Sequence, residues 1–414
     1  MHLPRESVNC VIAGGGPAGM MLGYLLARAG VSVRVLEKHP DFFRDFRGDT
    51  VHPSTLEILD ELGIVDEFLK LPHSEVRKLT VQIGATTLQI ADFNHLPVRC
   101  KFLAFMPQWD FLNFLAERGR RFSSFHLEME AVVTGLLFDD GRVTGVRVRT
   151  PRGERELGAD LVIGADGRDS HVREAAGLQS IDFGSPMDAL WMRISKQAGD
   201  PDQLFGRVDF GRVFVMLDRG DYWQCALVIA KGAFADIQRR GIEALRADIV
   251  EMIPFLNNRV AELRDWDDVK LLTVQVNRLR EWYRSGLLCI GDAAHAMSPI
   301  GGVGINLAIQ DAVAAANILV PALLRGSTIS TETLRKVQAR RELPTRITQR
   351  VQLLIQNNVI TRVLASSGSM SPPLAFRALG AIPLLRRIPA RMVGLGFRRE
   401  HVAKYITDPT NGEQ

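Results

Sequence analysis

The chain has 414 residues, more than one hydrophobic core usually supports, so two to three domains are expected. Hydrophobic residues at 46% and charged residues at 24% fit a folded globular chain and exclude a disordered one. The 51 Lys and Arg against 47 Asp and Glu leave a net +4, too small a bias to argue for nucleic acid as a partner. The positive charge is local. Arg377, Arg386, Arg387, Arg391, Arg398, Arg399 and Lys404 stand against a single acid, Glu400. This basic tail allows weak contact with a membrane surface, although a solvated basic face is the plainer reading. The four cysteines (Cys10, Cys100, Cys225, Cys289) lie far apart and offer no paired metal-ligand spacing. No metal site is expected, and a reducing, cytoplasmic setting is the default. The N-terminal apolar run is too short for a signal peptide. Residues 305–324, the longest apolar stretch, carry Asn306, Gln310, Asp311 and Asn317, so no bilayer span is expected there.

In chain order, residues 8–13 form an apolar run that ends in Gly14-Gly15-Gly16-Pro17-Ala18-Gly19. Apolar residues at helical spacing follow, Gly30 stops them, and residues 31–36 alternate as a strand ending at Glu37. This is a βαβ unit. Residues 53–62 predict a helix, 79–93 a hairpin turning near Gly84, and 109–122 another helix. Residues 126–166 are strand-rich, with turns at Asp139-Asp140-Gly141 and Pro151-Arg152-Gly153. From about 180 to 275, Trp191, Phe205, Phe210, Phe214, Tyr222 and Trp223 sit in alternating patterns, which predict a separate sheet with an aromatic face. The chain then turns helical through 307–324 and 331–360, and prolines break the closing stretch into short helices.

The spacing Gly14-x-Gly16-x-x-Gly19 suits a dinucleotide. The first glycine permits a tight turn, the second lets a pyrophosphate approach the backbone, and the third packs helix on strand. Pro17 and Ala18 open the helix whose N-terminal N–H groups would face the phosphates. Glu37, ending the next strand, would accept hydrogen bonds from ribose hydroxyls. Two further segments extend the pattern: Asp166-Gly167-Arg168-Asp169-Ser170 after an apolar strand, and Gly291-Asp292-Ala293-Ala294-His295 continuing to Pro299 and to Gly302-Val303-Gly304-Ile305-Asn306.

With all three motifs in order across residues 14–306, the chain resembles the class A FAD-dependent monooxygenases, the aromatic hydroxylases with the para-hydroxybenzoate hydroxylase fold. The resemblance implies an α/β fold: a Rossmann-type FAD-binding domain, an inserted mixed β-sheet substrate domain, and a helical C-terminal region. FAD-binding segments are expected at 1–72, 101–178 and 281–325, the substrate domain at 73–100 (a hairpin) and 179–280, and the helical region at 326–414. Non-covalent FAD, NAD(P)H as a transient co-substrate and O₂ are implied, with a small aromatic substrate hydroxylated through a flavin C4a-hydroperoxide. Asp292 would bond a ribityl hydroxyl while capping a helix. Pro299, Gly302, Gly304, Ile305 and Asn306 would pass beside the isoalloxazine, where a helix N-terminus stabilises negative charge. Asp166 and Gly167 would support the pyrophosphate. Arg47 would lie near the FAD phosphates and the nicotinamide route, and Gln108 against the ribityl-phosphate chain. On the substrate side, Arg193 would hold a carboxylate or phenolate and Tyr222 would relay a phenol proton, although an alternating aromatic strand is equally read as core. His295 is expected to be structural.

Other readings remain open. One is an FAD-dependent reductase of the same superfamily acting on an isoprenoid or other double bond; another is a membrane-surface or partner-binding flavoprotein. No Gly-x-Ser-x-Gly supports a hydrolase, and the five tryptophans never fall two apart as a Trp-x-Trp halogenase requires.

Overall fold

The computed structural model describes residues 7–43, 50–201, 206–209, 211–366, 368 and 371–408. In chain order the elements that position the site are β1 (Ser7–Ala13), α1 (Pro17–Arg28), β2 (Val33–Leu36), α2 (Pro53–Glu61), β3 (Lys78–Ile83), β4 (Thr86–Asp92), β5 (Leu103–Phe105), β6 (Phe125–Glu128), β7 (Val132–Asp139), β8 (Arg142–Thr150) and β9 (Gly153–Gly164). Then come β10 (Met187–Ser195), β11 (Gly206–Asp209), β12 (Arg212–Asp218), β13 (Tyr222–Ala230), α3 (Ile242–Met252), β14 (Lys270–Leu272), β15 (Tyr283–Arg284), β16 (Leu287–Cys289), α4 (Gly304–Leu324), α5 (Thr331–Ile355) and α6 (Arg387–Gly394).

The first sheet has eight strands and runs β15-β16-β9-β1-β2-β6, with β8 and β7 added as an antiparallel extension from β9. Strands β16, β9, β1, β2 and β6 are parallel. Parallel strands are covered on both faces, which explains why β1 reads as a continuous apolar run: Cys10, Val11, Ile12 and Ala13 are essentially fully buried. Asp140 and Gly141 both take positive φ (42° and 74°), the conformation that a two-residue hairpin turn requires.

The second sheet has seven strands in the order β14-β10-β13-β12-β11-β3-β4. Two distant stretches build it, because β11 pairs in parallel with β3 through Gly206–Val81 and Val208–Ile83. One face packs on α3 through Leu190, Met192, Ile194, Phe214, Met216 and Trp223. The single aromatic face expected from the sequence is therefore corrected. Phe214 and Trp223 point to the helices, whereas Trp191 and Tyr222 lie on the opposite face. Neighbours such as Tyr222 and Trp223 must diverge because side chains alternate along a strand.

A third, small sheet joins Thr50–Val51 to β5 and Ser74–Val76. All four cysteines are buried and unpaired, and burial pushes the thiols of Cys10, Cys225 and Cys289 far up. Among the described residues one stretch, Ile300–Leu324, is by length and composition apolar enough to cross a membrane. Most of it is buried against the rest of the protein, and Asn306, Gln310 and Asp311 are spent on internal hydrogen bonds.

Candidate active site

The three glycine-bearing motifs meet at the C-terminal ends of β1, β9 and β16, the edge where open parallel sheets bind ligands. Gly14 has φ +105°, and a Cβ there would sit 2.3 Å from the Ala165 carbonyl oxygen; one on Gly19 would sit 2.0 Å from the Gly14 carbonyl oxygen. Both glycines serve close backbone packing. Gly16 differs, since a Cβ there meets nothing within 4 Å. Gly16 also precedes Pro17 at the start of α1, whose first N–H groups have no side-chain cap. An open cradle at an uncapped helix N-terminus fits a pyrophosphate.

Glu37 is buried, with Oε2 accepting from the Gly15 N–H at 2.9 Å and Oε1 from the His39 N–H at 3.1 Å. The carboxylate is thereby fixed beside the glycine loop. Asp166 closes its own turn: Oδ1 accepts from the Ser170 hydroxyl at 2.5 Å and Oδ2 from the Val172 N–H at 3.1 Å. Burial pushes its pKa up, against these hydrogen bonds. Gly167 follows at φ +90° with open space where a side chain would stand.

Asp292 does not cap a helix, as the sequence suggested, because the short helix Gly291–Ala293 is preceded by Ile290 and has no side-chain cap. Its carboxylate instead accepts from Arg168 Nε at 3.0 Å, joining the Asp-Gly and Gly-Asp motifs. Arg168 escaped the sequence reading because its partner lies 124 residues away. Gln108 opens the helix Gln108–Gly119 rather than preceding it. Arg47 lies outside the described residues.

Pro299 leads into the turn Ile300–Gly302, with Gly301 and Gly302 both at positive φ (78° and 63°), and α4 begins at Gly304. A Cβ on Gly304 would meet nothing within 4 Å, and the first turn of α4 has neither a side-chain cap nor an acid. This N-terminus leaves its first N–H groups without a side-chain cap and carries the positive end of the helix dipole. Ile305 is half-buried beside it. The Asn306 side chain faces α2, where its Oδ1 accepts from the Ser54 hydroxyl at 2.6 Å and the Thr55 hydroxyl at 3.1 Å. His52, also unforeseen, contacts the Gly302 carbonyl at 2.9 Å and the Val393 carbonyl of α6 at 2.7 Å. Burial pulls its pKa down, and the two carbonyls work against that shift.

His295 is 1% exposed, with Nε2 at 2.6 Å from Asp311 Oδ2. The same carboxylate accepts from the Gly291 N–H at 3.1 Å and from Arg341 Nε at 2.9 Å. His295 therefore anchors the Gly-Asp loop to α4 and α5.

On the second sheet Arg193 and Tyr222 do come together, the guanidinium 3.8 Å from the ring centroid. The Arg193 side chain is 59% exposed and pairs with Asp221 at 3.6 Å, so the two lie at the solvent end of the sheet face.

The family model described as FAD binding domain matches residues 7–351. The chain belongs to the FAD-dependent aromatic monooxygenases. This flavoprotein is 34% identical over 384 residues to a 6-methylpretetramide 4-monooxygenase of Streptomyces rimosus, covering 92% of this chain and 89% of the relative. It is 29% identical over 323 residues to a 12-dehydrotetracycline 5-monooxygenase/anhydrotetracycline 6-monooxygenase of Streptomyces rimosus subsp. rimosus, covering 74% of this chain and 61% of that one. Among solved structures, p-nitrophenol 4-monooxygenase PnpA of Pseudomonas putida DLL-E4 matches with a TM-score of 0.75 at 21% identity, over 95% of this chain and 100% of that one, a likeness of fold.

Proposed function

We propose that this monooxygenase hydroxylates a small, polyketide-like aromatic substrate with NAD(P)H and O₂. The observation that carries the reading is the uncapped N-terminus of α4, placed after the Gly301-Gly302 turn and beside the converged dinucleotide motifs. The relative named for 6-methylpretetramide supports the substrate class. Bound FAD would accept reducing equivalents from NAD(P)H and activate O₂. The chain's own part is to seat the pyrophosphate at Gly16 and α1 and to hold the ribose at Glu37. Asp292, fixed by Arg168, would hold the ribityl chain, and the α4 N–H groups would stabilise negative charge on the ring. Arg193 and Tyr222 supply a cation and a phenol on the sheet face, for orienting and for moving a phenolic proton. The test is NAD(P)H oxidation by the purified yellow protein, screened over phenols and fused-ring aromatics under ¹⁸O₂. A product carrying one ¹⁸O atom is expected. Reduction of a substrate double bond without oxygen consumption would instead establish the reductase.

A second reading concerns the C-terminal surface. Between Glu342 and Glu400 the sequence has no carboxylate side chain, and Leu374, Ile382, Leu384 and Ile388 are exposed alongside Arg377, Arg387 and Arg391. We infer from this pairing of aliphatic and cationic groups a weak affinity for anionic lipid surfaces. Sedimentation with phosphatidylglycerol vesicles, abolished by salt and absent with phosphatidylcholine alone, is the expected result.

A further inference from the structure

Two hydrogen-bond donors are buried without a partner on the sheet face turned away from α3. Gln224 is 4% exposed, and its Nε2 has no partner among the described residues. Nor has Nε1 of Trp191. Trp191 lies opposite Ala226 and Gln224 opposite Arg193, so both project from the same face of the β10–β13 ladder. That face looks toward the flavin loop. Trp191 packs on the cluster containing Phe105, Leu217 and Leu395, to which Val393 also belongs, and the Val393 carbonyl is held by the same His52 ring that holds Gly302.

The chemistry of each donor is fixed. An indole N–H only donates. The Gln224 amide has its oxygen engaged by Arg219 Nε at 3.3 Å, so the end left over is the NH₂ group. Buried donors without acceptors are costly, and a ligand that brings an acceptor relieves that cost.

We propose that Gln224 and Trp191 form a two-donor seat for a ring-conjugated oxygen, a quinone-type carbonyl or phenolate, of the aromatic substrate. This rests on the hydroxylase reading and deepens it, because it selects fused aromatics bearing such an oxygen over plain hydrocarbons. A site with placed donors rejects the analogue that lacks their acceptor.

The test uses the FAD-loaded protein without reductant and two probes matched except for carbonyl oxygens, anthraquinone-2-sulfonate and anthracene-2-sulfonate, titrated calorimetrically. The parent protein is expected to bind the quinone at least about 10-fold more tightly. Trp191→Phe and Gln224→Glu should each weaken quinone binding about 10- to 100-fold and leave the hydrocarbon within about 2-fold. Gln224→Glu keeps an acceptor for Arg219, and neither variant removes a donor that the free protein uses. Trp191→Phe loses ring packing and should melt somewhat lower whatever the role of its N–H, so the melting temperature is read on Gln224→Glu, where it should hold, whereas a merely structural role would lower it. Equal weakening of both probes, no preference for the quinone in the parent, or a lowered melting temperature in Gln224→Glu would overturn the seat. Failure of the hydroxylase reading shows separately, as absence of ¹⁸O product with every aromatic.

Discussion

Asp166, half-buried, and Asp311, fully buried, are carboxyls beside the converged glycine motifs, yet their pKa values move in opposite directions. Burial raises Asp166, and its partners are a hydroxyl, a backbone N–H and the exposed His171. Burial alone would raise Asp311 too, but His295 and Arg341 more than offset it and hold it below the ordinary carboxylate value. With the folded-state pKa depressed, Asp311 contributes stability fully above the unfolded value of 3.8, and that contribution is lost as pH falls through the folded pKa. Asp311→Asn should cost about 3–5 kcal/mol at neutral pH and flatten the fall in stability below about pH 4, read by urea unfolding across that range. The residues that carry local backbone geometry were legible in the sequence, because a glycine pattern encodes its turn directly. Arg168, His52 and Arg341 were not, since each acts through a partner more than a hundred residues away or across two elements. The cap expected at Asp292 failed for the same reason: a distant arginine took the carboxylate.

Each element's start and stop were legible wherever local chemistry sets them. Proline opens both α1 and α2, and the hairpin around Gly84 joins β3 to β4 as the alternation predicts. What periodicity cannot encode is which face of β10 and β13 receives helices, because both faces are apolar at the centre of the sheet. The strand–turn–helix element at β1 and α1 gives a paired prediction. Gly14→Ala should abolish folding, since φ +105° and a 2.3 Å approach to Ala165 leave no room. Gly16→Ala fills open space at an extended φ of −73°, so the variant should melt like the parent while FAD affinity drops at least about 10-fold. Parent-like flavin affinity in Gly16→Ala would remove the pyrophosphate from that cradle; differential scanning fluorimetry and flavin titration together read both outcomes.

At the scale of the molecule, His52 ties the loop Ile300–Gly302 to α6, its ring contacting the carbonyls of Gly302 and Val393 from 250 and 341 residues away in the chain. On the proposed function, a substrate seated on the second sheet would bear on the same loop that would meet the flavin. Substrate is expected to accelerate anaerobic flavin reduction at least about 10-fold, and Gly302→Val, forced to φ +63°, should lose that acceleration. Stopped-flow absorbance decides it, and equal rates with and without a hydroxylated substrate would rule out such gating. The stitched second sheet has a further consequence, for biosynthesis. The edge of β3 waits for β11, so a nascent chain holds an apolar hairpin unpaired while residues 84–205 are made, roughly 6–25 s at 5–20 residues per second. The dinucleotide cradle waits longer, because β1 gains its neighbour β9 only after residue 164, and β16 closes the far side only after residue 289. Cofactor capture at that cradle would thus be a late event in the life of each chain, and the unpaired hairpin should be exposed longest, and aggregate most, in a slow-translating host.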